Sequence, residues 1–450
     1  MARHQRLKQK PRAVAPTPFL GERVNVVVES HGAQGDGFGN ATLADGSTRP
    51  IRIPLTLRGE RIKATVSGER EGRLDAGVGT IQERSPDRRE PPCRHFSECG
   101  GCALQHWSEE LYRAAKMERL LVDLAPLRAD IGSIAPPLFT PPGSRRRVDL
   151  TVRREAARAV LGFARRRSHA VVDLAECPVA LPQIVALFAP LRALAATILP
   201  RRSEAEIVVN WTDGGADILI VPPAGAELSL RHREAIAAFA ERSDIARLSW
   251  GQRGKAEILL TRRPPVVNLG PVAVAPAPGG FLQASLAGEA ALRGAVALWV
   301  GGARKVIDLF AGIGTLSLGL LPDRRLSLIE GNAAAVAAID VALRRQALTG
   351  VATATRRDIE RDPMPGEDLK GFDVAIVDPP KIGARAQTEA LARSGVPTIV
   401  AASCNPVTFR RDAAILIAAG YRLEELRPID QFLWSPHMEL VARFTLSDER

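Results

Sequence analysis

The C-terminal part of the sequence predicts an α/β fold, a doubly wound and mostly parallel sheet. Beyond about residue 270 four short apolar runs recur, K-V-I-D-L-F, L-S-L-I-E, D-V-A-I-V-D and T-I-V-A-A-S, separated by segments of helical length. The runs lack the polar alternation of half-exposed strands, as is typical of strands buried on both faces. A chain of 450 residues is also too long for one core, so we expect further domains before this one.

The N-terminal region predicts a tail followed by a small barrel. Residues 1–18 are basic and proline-containing, and we expect either disorder until they meet an anion or a solvated tail with no role. Residues 19–84 contain five short alternating runs separated by glycine-rich turns, which predicts an all-β barrel of the oligonucleotide-binding (OB) kind. The segment S-P-D-R-R-E-P-P at 85–92 has the composition of a linker.

Residues 93–268 alternate basic strands with helical stretches, and we expect an α+β domain that opens with clustered cysteines. Cys93, Cys99 and Cys102 lie in C-R-H-F-S-E-C-G-G-C, and Cys177 lies alone in A-E-C-P-V. Three clustered thiols and one distant thiol predict a four-thiolate iron–sulfur or metal site. Zinc stays an alternative, although structural zinc sites usually pair their ligands at short spacing in both halves.

The charge of the chain predicts a polyanionic partner. The formal net charge is +11, and nine arginines lie between Arg145 and Arg167 against only Asp149 and Glu155. This pattern favours nucleic acid, although codon bias toward arginine can also produce an excess. No apolar stretch approaches the ~18 residues of a membrane span, and five cysteines fit a reducing compartment. We therefore expect a cytoplasmic monomer with no membrane partner.

The first strand of the α/β region ends in D-L-F-A-G-I-G-T-L, which predicts a ligand-binding turn. Gly312 and Gly314 allow a tight backbone turn, but the third glycine of a dinucleotide fingerprint is absent. Glu330 ends the next strand, where a carboxylate can hold ribose hydroxyls. Together with Asp308 these residues predict S-adenosylmethionine as a cofactor, whereas the glycine pair alone indicates only a turn.

Two further motifs predict chemistry at the same rim of the sheet. Asp378 lies in V-D-P-P-K, and Cys404 lies in A-S-C-N-P after the next predicted strand. Methylation of carbon 5 of a pyrimidine needs a thiolate that adds to carbon 6, followed by a base that removes the carbon 5 proton. Glu439 in P-H-M-E-L-V-A-R-F is the candidate base. Taken singly, Cys404 could be a core cysteine and Glu439 a strand-edge carboxylate.

These residues resemble those of the bacterial RNA (uracil-5-)-methyltransferases, in particular the iron–sulfur branch that acts on 23S rRNA. The resemblance covers nearly the whole chain. Its motifs are C-x5-C-G-G-C with Q-H at Gln105 and His106, C-P at Cys177, F-x-Q at Phe281 and Gln283, D-L-F-x-G-x-G from Asp308, S-C-N-P-x-T-x-x-R-D from Ser403, and H-x-E-x-V-A from His437.

The resemblance implies a class I S-adenosylmethionine-dependent methyltransferase domain over residues 269–450, a TRAM RNA-binding barrel, and a central iron–sulfur domain. It implies a [4Fe–4S] cluster held by Cys93, Cys99, Cys102 and Cys177, with Cys404 as nucleophile and Glu439 as base. Phe281 would pack near the target base, which must leave its RNA fold. Cofactor contacts are expected at Gln283, Phe310, Thr315, Glu330, Asp358 and Asp378.

The chain departs from the family pattern at three places. Lys381 stands where an arginine is usual, Ser285 where an asparagine is usual, and S-R-R-R-V-D-L replaces a commoner Y-R-N-R type. The last departure affects the details of RNA contact. Three alternatives stay open: the same chemistry on tRNA, a non-catalytic iron–sulfur RNA-binding assembly factor, and cytosine methylation. Cytosine enzymes typically carry a second cysteine beside the D-P-P-like motif, and none occurs here.

Overall fold

The computed structural model describes residues 17–32 and 34–447, which fall into two structural units. The first unit contains residues up to Arg119 together with Ala164–Val172 and Trp434–Pro436. The second contains Leu120–Phe163, Asp173–Leu433 and the residues from His437 onward. Most of the predicted basic tail lies outside the described residues. The predicted domain boundaries at 84, 93 and 268 stay predictions.

The first unit contains a closed barrel of five strands. These are β1 (Arg23–His31), β2 (Gly37–Thr42), β3 (Thr48–Ile53), β4 (Arg61–Arg70) and β5 (Arg73–Glu83), in the order β1-β2-β3-β5-β4. Along β1, Val24, Val26 and Val28 are buried and alternate with exposed residues, which is the pattern of a strand with one face in a core. A closed barrel of five strands thus lies in the region where the sequence predicts one, whereas its assignment to the OB kind and as a TRAM domain stays a prediction.

The cysteine-rich segment of the first unit consists of turns that end at helix α1 (Glu109–Asp123). Its backbone pairs with the segment Ala164–Val172 of the same unit, through Gly100 N to Ala164 O (3.0 Å) and Arg166 N to Glu98 O (2.8 Å). Cys93 and Cys99 are buried, and Cys102 is partly exposed. Backbone bonds, rather than a regular element, therefore fix this segment.

The second unit contains a six-stranded sheet in the order β13-β12-β11-β10-β8-β9. Its elements, and two strands that precede them, are β6 (Ile131–Ile134), β7 (Leu138–Phe139), β8 (Arg147–Arg154), β9 (Ala159–Gly162), α2 (Pro182–Ala186), α3 (Phe188–Ile198), β10 (Ser203–Thr212), β11 (Gly215–Val221), α4 (Leu230–Arg242), β12 (Arg247–Trp250) and β13 (Glu257–Thr261). A hairpin of β14 (Val267–Leu269) and β15 (Val272–Val274) follows.

The same unit contains a nine-stranded sheet in the order β18-β17-β16-β19-β20-β22-β21-β6, with β7 also pairing with β21. Its elements after the hairpin are α5 (Leu286–Val300), β16 (Lys305–Leu309), β17 (Arg325–Glu330), α6 (Ala333–Arg345), β18 (Ala352–Arg356), α7 (Gly366–Leu369), β19 (Val374–Val377), α8 (Arg385–Ser394), β20 (Thr398–Ser403), α9 (Pro406–Ala418), β21 (Tyr421–Asp430) and β22 (Glu439–Leu446). The five strands from β18 to β20 are parallel.

The mostly parallel sheet predicted from the apolar runs is confirmed, and its inner strands β16 and β19 are buried on both faces. All four residues of β19 are buried, as are four of the five residues of β16. One feature was not predicted: β6 and β7 lie far earlier in the chain, yet both pair in parallel with β21. No helix of the described ranges has both the length and the apolar character needed to span a bilayer.

Candidate active site

The predicted catalytic and cofactor residues meet at one edge of the nine-stranded sheet. Parallel strands end at the same edge, and ligands of such sheets bind there. Strand β22 is antiparallel to β20, so its first residue lies at the edge where β20 ends. Ser403 pairs with Leu440, and this register places Glu439 beside Cys404. The remaining predicted residues follow the other strands: Phe310 follows β16, Asp358 lies just beyond β18, Asp378 follows β19, and Glu330 ends β17.

The turn after β16 has the conformation that its glycines predict. Phe310 (φ 63°), Gly312 (φ 58°) and Gly314 (φ 81°) all have left-handed backbones. A Cβ at Gly314 would lie 2.5 Å from Leu318, whereas a Cβ at Gly312 would meet nothing within 4 Å. The backbone at Gly312 is therefore open to the approach of a ligand, and Thr315 lies partly exposed in the same turn.

Glu330 connects this turn to the neighbouring strand. Its Oε2 accepts a hydrogen bond from Gly312 N (2.8 Å), and its Oε1 accepts one from Asn332 N (2.7 Å). Each carboxylate oxygen can accept more than one hydrogen bond, so Glu330 can still accept hydrogen bonds from ligand hydroxyls. Asp358 is exposed beyond the next strand, where Arg357 N donates to Glu330 O (3.0 Å).

Asp308 lies beneath the turn and is fully buried. Its Oδ2 accepts a hydrogen bond from Ser317 Oγ (2.6 Å). Burial raises the pKa of Asp308 to about 7, and the charges of Asp378 and Glu330 add to the rise. The hydrogen bond from Ser317 opposes it. The carboxyl group is thus poised between its neutral and charged forms near neutral pH.

A chain of hydrogen bonds links the candidate base to Asp378 through two glutamines. Gln431 Nε2 donates to Glu439 Oε2 (3.1 Å) and to Gln283 Oε1 (2.9 Å), and Gln283 Nε2 reaches Asp378 Oδ2 at 3.4 Å. Ala284 N donates to Gln431 Oε1 (3.1 Å), which fixes the amide of Gln431. Gln283, Gln431 and Glu439 are all buried. Sequence reasoning missed Gln431, whose one signal was its position just before the P-H-M-E motif.

The electrostatic environment disfavours charge at this edge. Burial is the main cause that raises the pKa of Asp378 and of Glu439, and the charge of Asp378 adds to the rise at Glu439. The pKa of the Cys404 thiol is raised to about 12 by burial, then by the charges of Glu439 and Asp378. Lys381 opposes this rise. Cys404 is therefore a thiol at rest, and a reaction that uses its thiolate must remove the proton during turnover.

The D-P-P-K loop is held by side chains of the segment that begins just after Cys404. Asn405 Nδ2 donates to Lys381 O (3.0 Å), and the hydroxyl of Thr408 lies 3.2 Å from the same carbonyl. Asp412 Oδ2 accepts from Ala384 N (2.9 Å). Asn405 also caps α9 by accepting from Val407 N (3.2 Å). The loop that carries Asp378 is thereby fixed to the turn that carries Cys404.

Phe281 lies two residues before Gln283 in the F-x-Q motif and projects into solvent. Its side chain is 60% exposed, and the guanidinium of Arg147 lies 5.3 Å from the ring centroid. Both the ring and the guanidinium have planar faces on which a planar ligand can stack.

The predicted cysteine cluster finds no support in the geometry. Across 17–32 and 34–447, no group of three or more His, Cys, Asp or Glu side chains is arranged to hold a metal ion.

The chain is similar to known RNA methyltransferases in sequence and in fold. Residues 326–444 match the family model described as tRNA (uracil-5-)-methyltransferase. The chain is 39% identical over 424 residues to an uncharacterized RNA methyltransferase of Rhizobium meliloti, covering 93% of this chain and 98% of the relative. It is 32% identical to the 23S rRNA (uracil(1939)-C(5))-methyltransferase RlmD of Halomonas elongata, covering 96% and 92% respectively.

A solved structure shares the fold. The tRNA (uracil-54, C5)-methyltransferase of Pyrococcus abyssi, in complex with S-adenosyl-L-homocysteine, has a TM-score of 0.71 at 23% identity and covers 94% of this chain and 99% of its own. The α/β part thus has the class I methyltransferase fold. From its similarity to these relatives over nearly its full length, the chain belongs to the tRNA/rRNA (uracil-5-)-methyltransferase family.

Proposed function

We propose that the protein transfers a methyl group from S-adenosylmethionine to carbon 5 of a uridine in 23S rRNA. The observation that carries the proposal is the register of β20 and β22, which sets Glu439 beside Cys404. The choice of 23S rRNA rests on the similarity to the Halomonas elongata enzyme. The same chemistry on tRNA is the second candidate, since the matched family model carries a tRNA description.

The residues of the edge fit S-adenosylmethionine. The open, left-handed turn at Gly312 allows close approach of a ligand, and Glu330 keeps acceptor capacity for ribose hydroxyls. Phe310, Thr315, Asp358, Gln283 and Asp378 are the further residues that we propose as contacts. When bound, the cofactor supplies a methyl group on a sulfonium.

The residues of the chain then perform covalent catalysis on the uracil ring. Cys404 Sγ, having lost its proton, adds to carbon 6 of the uracil, and the electron pair moves through carbon 5 to the methyl group. Glu439 takes the proton from carbon 5, and the electrons of that C–H bond restore the ring double bond while the C–S bond breaks. The products are 5-methyluridine, a demethylated cofactor and one proton, and Cys404 returns to its starting state.

The proposal is tested with donor carrying a labelled methyl group and with 23S rRNA and tRNA transcripts offered separately. We expect label at carbon 5 of uridine in 23S rRNA, and no label with a Cys404→Ala variant of unchanged fold. Transfer to tRNA alone would contradict 23S rRNA as the substrate. Undiminished transfer by Cys404→Ala would contradict the covalent mechanism. A non-catalytic assembly factor would transfer no label to either RNA.

The [4Fe–4S] cluster at Cys93, Cys99, Cys102 and Cys177 stays a prediction from the sequence, as do the cytoplasmic location and the monomeric state. Protein purified without oxygen would show broad absorption near ~400 nm if the cluster is present. Colourless protein without bound iron would contradict the cluster prediction.

A further inference from the structure

Several polar side chains are buried on the six-stranded sheet or, in the case of Arg146, just before its strand β8, which is costly unless each has a partner. Their side chains are almost inaccessible: Arg146 is 1% exposed, Asn210 0%, Asp217 1% and Arg247 6%. These residues do not belong to the edge where Cys404 lies. Their partners indicate what they do.

Four side chains of this sheet or its adjoining loops donate hydrogen bonds to backbone carbonyls of one segment, residues 276–283. The bonds are Arg247 Nη2 to Pro276 O (2.6 Å), Arg253 Nη1 to Gly279 O (3.2 Å), Asn210 Nδ2 to Gly280 O (2.9 Å) and Arg146 Nε to Gln283 O (3.2 Å). The segment P-A-P-G-G-F-L-Q has two prolines without an N–H and two flexible glycines. It cannot be held by a regular ladder, and the sheet supplies the donors instead.

Acidic partners hold most of the donors in place. Arg247 makes two bonds of 2.8 Å to the buried carboxylate of Asp217, which fixes the plane of its guanidinium. Arg253 pairs with Glu206 (2.5 Å), and Arg146 pairs with the buried Glu289. These ion pairs therefore fix the guanidinium groups in the positions from which they donate to the segment.

Close packing at Gly279 adds to these bonds. This residue has a left-handed backbone (φ +67°), and a Cβ there would lie 2.5 Å from Leu219 Cδ2 on β11. At Gly279 the backbone of the segment therefore packs directly against β11. Phe281 and Gln283 follow within the next four residues.

We propose that Asn210, Arg247 and Arg253 are positioning residues for methyl transfer, which act by holding the backbone just before Phe281 so that its ring is presented to RNA. This inference rests on the proposed function. In this role the six-stranded sheet holds residues 276–283 in the conformation that presents Phe281 to the substrate.

Asn210→Ala tests the inference, with Thr212→Val as the matched control. Both residues are buried on β10, but the hydroxyl of Thr212 donates to Gly215 O (2.7 Å) in the adjoining hairpin turn and not to the segment. We expect Asn210→Ala to raise KM for RNA by about fivefold, the value of one hydrogen bond, with KM for the methyl donor within about twofold. An equal change in Thr212→Val would overturn the inference.

A double-mutant cycle with Phe281→Ala separates positioning from general destabilisation. If Asn210 acts through the segment, Asn210→Ala adds little to the rise in KM for RNA once Phe281→Ala is present. Additive effects would contradict the inference. Arg253→Lys provides a variant outside the buried core: it keeps the charge but loses the planar fork, and we expect it also to raise KM for RNA. Unchanged KM would contradict the role of Arg253.

Hydrogen exchange supplies a readout that needs no activity. The amides of residues 279–283 should exchange faster in Asn210→Ala than in the wild-type protein, and at the wild-type rate in Thr212→Val. Unchanged exchange in Asn210→Ala would overturn this inference while leaving the proposed function intact. Absence of methyl transfer by the wild-type protein, with faster exchange in Asn210→Ala, would overturn the proposed function instead.

Discussion

Cys404 lies where its thiolate is strongly disfavoured. A pKa of about 12 leaves on the order of one thiol in 10⁵ ionised at pH 7. The proposed role of Cys404 as nucleophile therefore requires that the thiol loses its proton during turnover. The pKa values of Glu439 and Asp378 are also raised, so both carboxyl groups stay protonated to a higher pH than exposed carboxyl groups do.

Two substitutions should move the pKa of Cys404 in opposite directions. Above the raised pKa of Glu439 its carboxylate is charged and opposes the thiolate, so Glu439→Gln should lower the pKa of Cys404. Lys381 favours the thiolate, so Lys381→Met should raise it. The measurement is the rate of iodoacetamide labelling at Cys404 against pH, read by peptide mass spectrometry. Shifts of the same sign in both variants would contradict the assigned electrostatics.

Glu439→Gln should also stop the reaction after methyl transfer. Without a base, the proton on carbon 5 stays and Cys404 cannot be eliminated, so turnover should fall by ~10²–10⁴-fold. The enzyme should accumulate as a covalent complex with methylated RNA, visible as a slow band on a denaturing gel. Combining the change with Cys404→Ala should remove that band. Product released at the wild-type rate would show that Glu439 is not the base.

At the scale of elements, α9 and the D-P-P-K loop form one fixed assembly. Gly383 has a left-handed backbone (φ +79°), and a Cβ there would lie 2.5 Å from Arg411 Nη2 and 2.6 Å from Asp412 Oδ2. Arg411 Nη2 also donates to Ile382 O (3.2 Å). Glycine at this position allows the side chains of α9 to reach the loop.

Gly383→Ala should therefore destabilise the protein more than Gly395→Ala does. Both glycines have left-handed backbones, but a Cβ at Gly395 (φ +71°) meets nothing within 4 Å. Each variant should lose about 1–2 kcal/mol from the backbone conformation, and Gly383→Ala should lose further free energy of unfolding from the displaced side chains. Urea unfolding measures the difference. Equal losses would mean that contacts of α9 do not constrain the loop.

At the scale of the whole molecule, the positive charge is partly engaged within the protein. At least six of the arginines between 145 and 167 form ion pairs: Arg146, Arg147, Arg153, Arg158, Arg165 and Arg167. The arginines that suggested a basic patch in the sequence are thus partly engaged in ion pairs within the protein. Exposed pairs contribute little stability, so phosphates can compete for their arginines. The net charge of +11 still favours a polyanion.

RNA affinity should fall steeply with salt. The logarithm of the binding constant should decrease linearly with the logarithm of salt concentration, at about 0.7 per phosphate contacted for single strands. Phe281→Ala should lower affinity at every salt concentration without changing the slope, because it removes stacking and no charge. Filter binding at several potassium chloride concentrations measures both quantities. Affinity independent of salt would contradict an electrostatic contribution to binding.

Much of this architecture could be read from local patterns. Alternating valines predicted the barrel strands, and unbroken apolar runs predicted the parallel strands, because both depend on the side-chain period of a strand. Cys404, Glu330 and Asp378 were found because each lies at or just beyond the end of a predicted strand. The pairing of β6 with β21 was not predictable, since it joins residues almost 300 positions apart, such as Ser133 and Glu425.

The sequence by itself predicted the side chains that we propose for the chemistry, and it indicated which apolar runs form the parallel strands of the large sheet. Only the tertiary structure decided that β22 runs antiparallel beside β20, that Gln431 joins Glu439 to Gln283, and that side chains of the six-stranded sheet bind the backbone of residues 276–280. The physical reason is that strand direction, register and hydrogen bonds between distant segments depend on contacts across the folded chain. Local periodicity fixes only which face of a strand is buried.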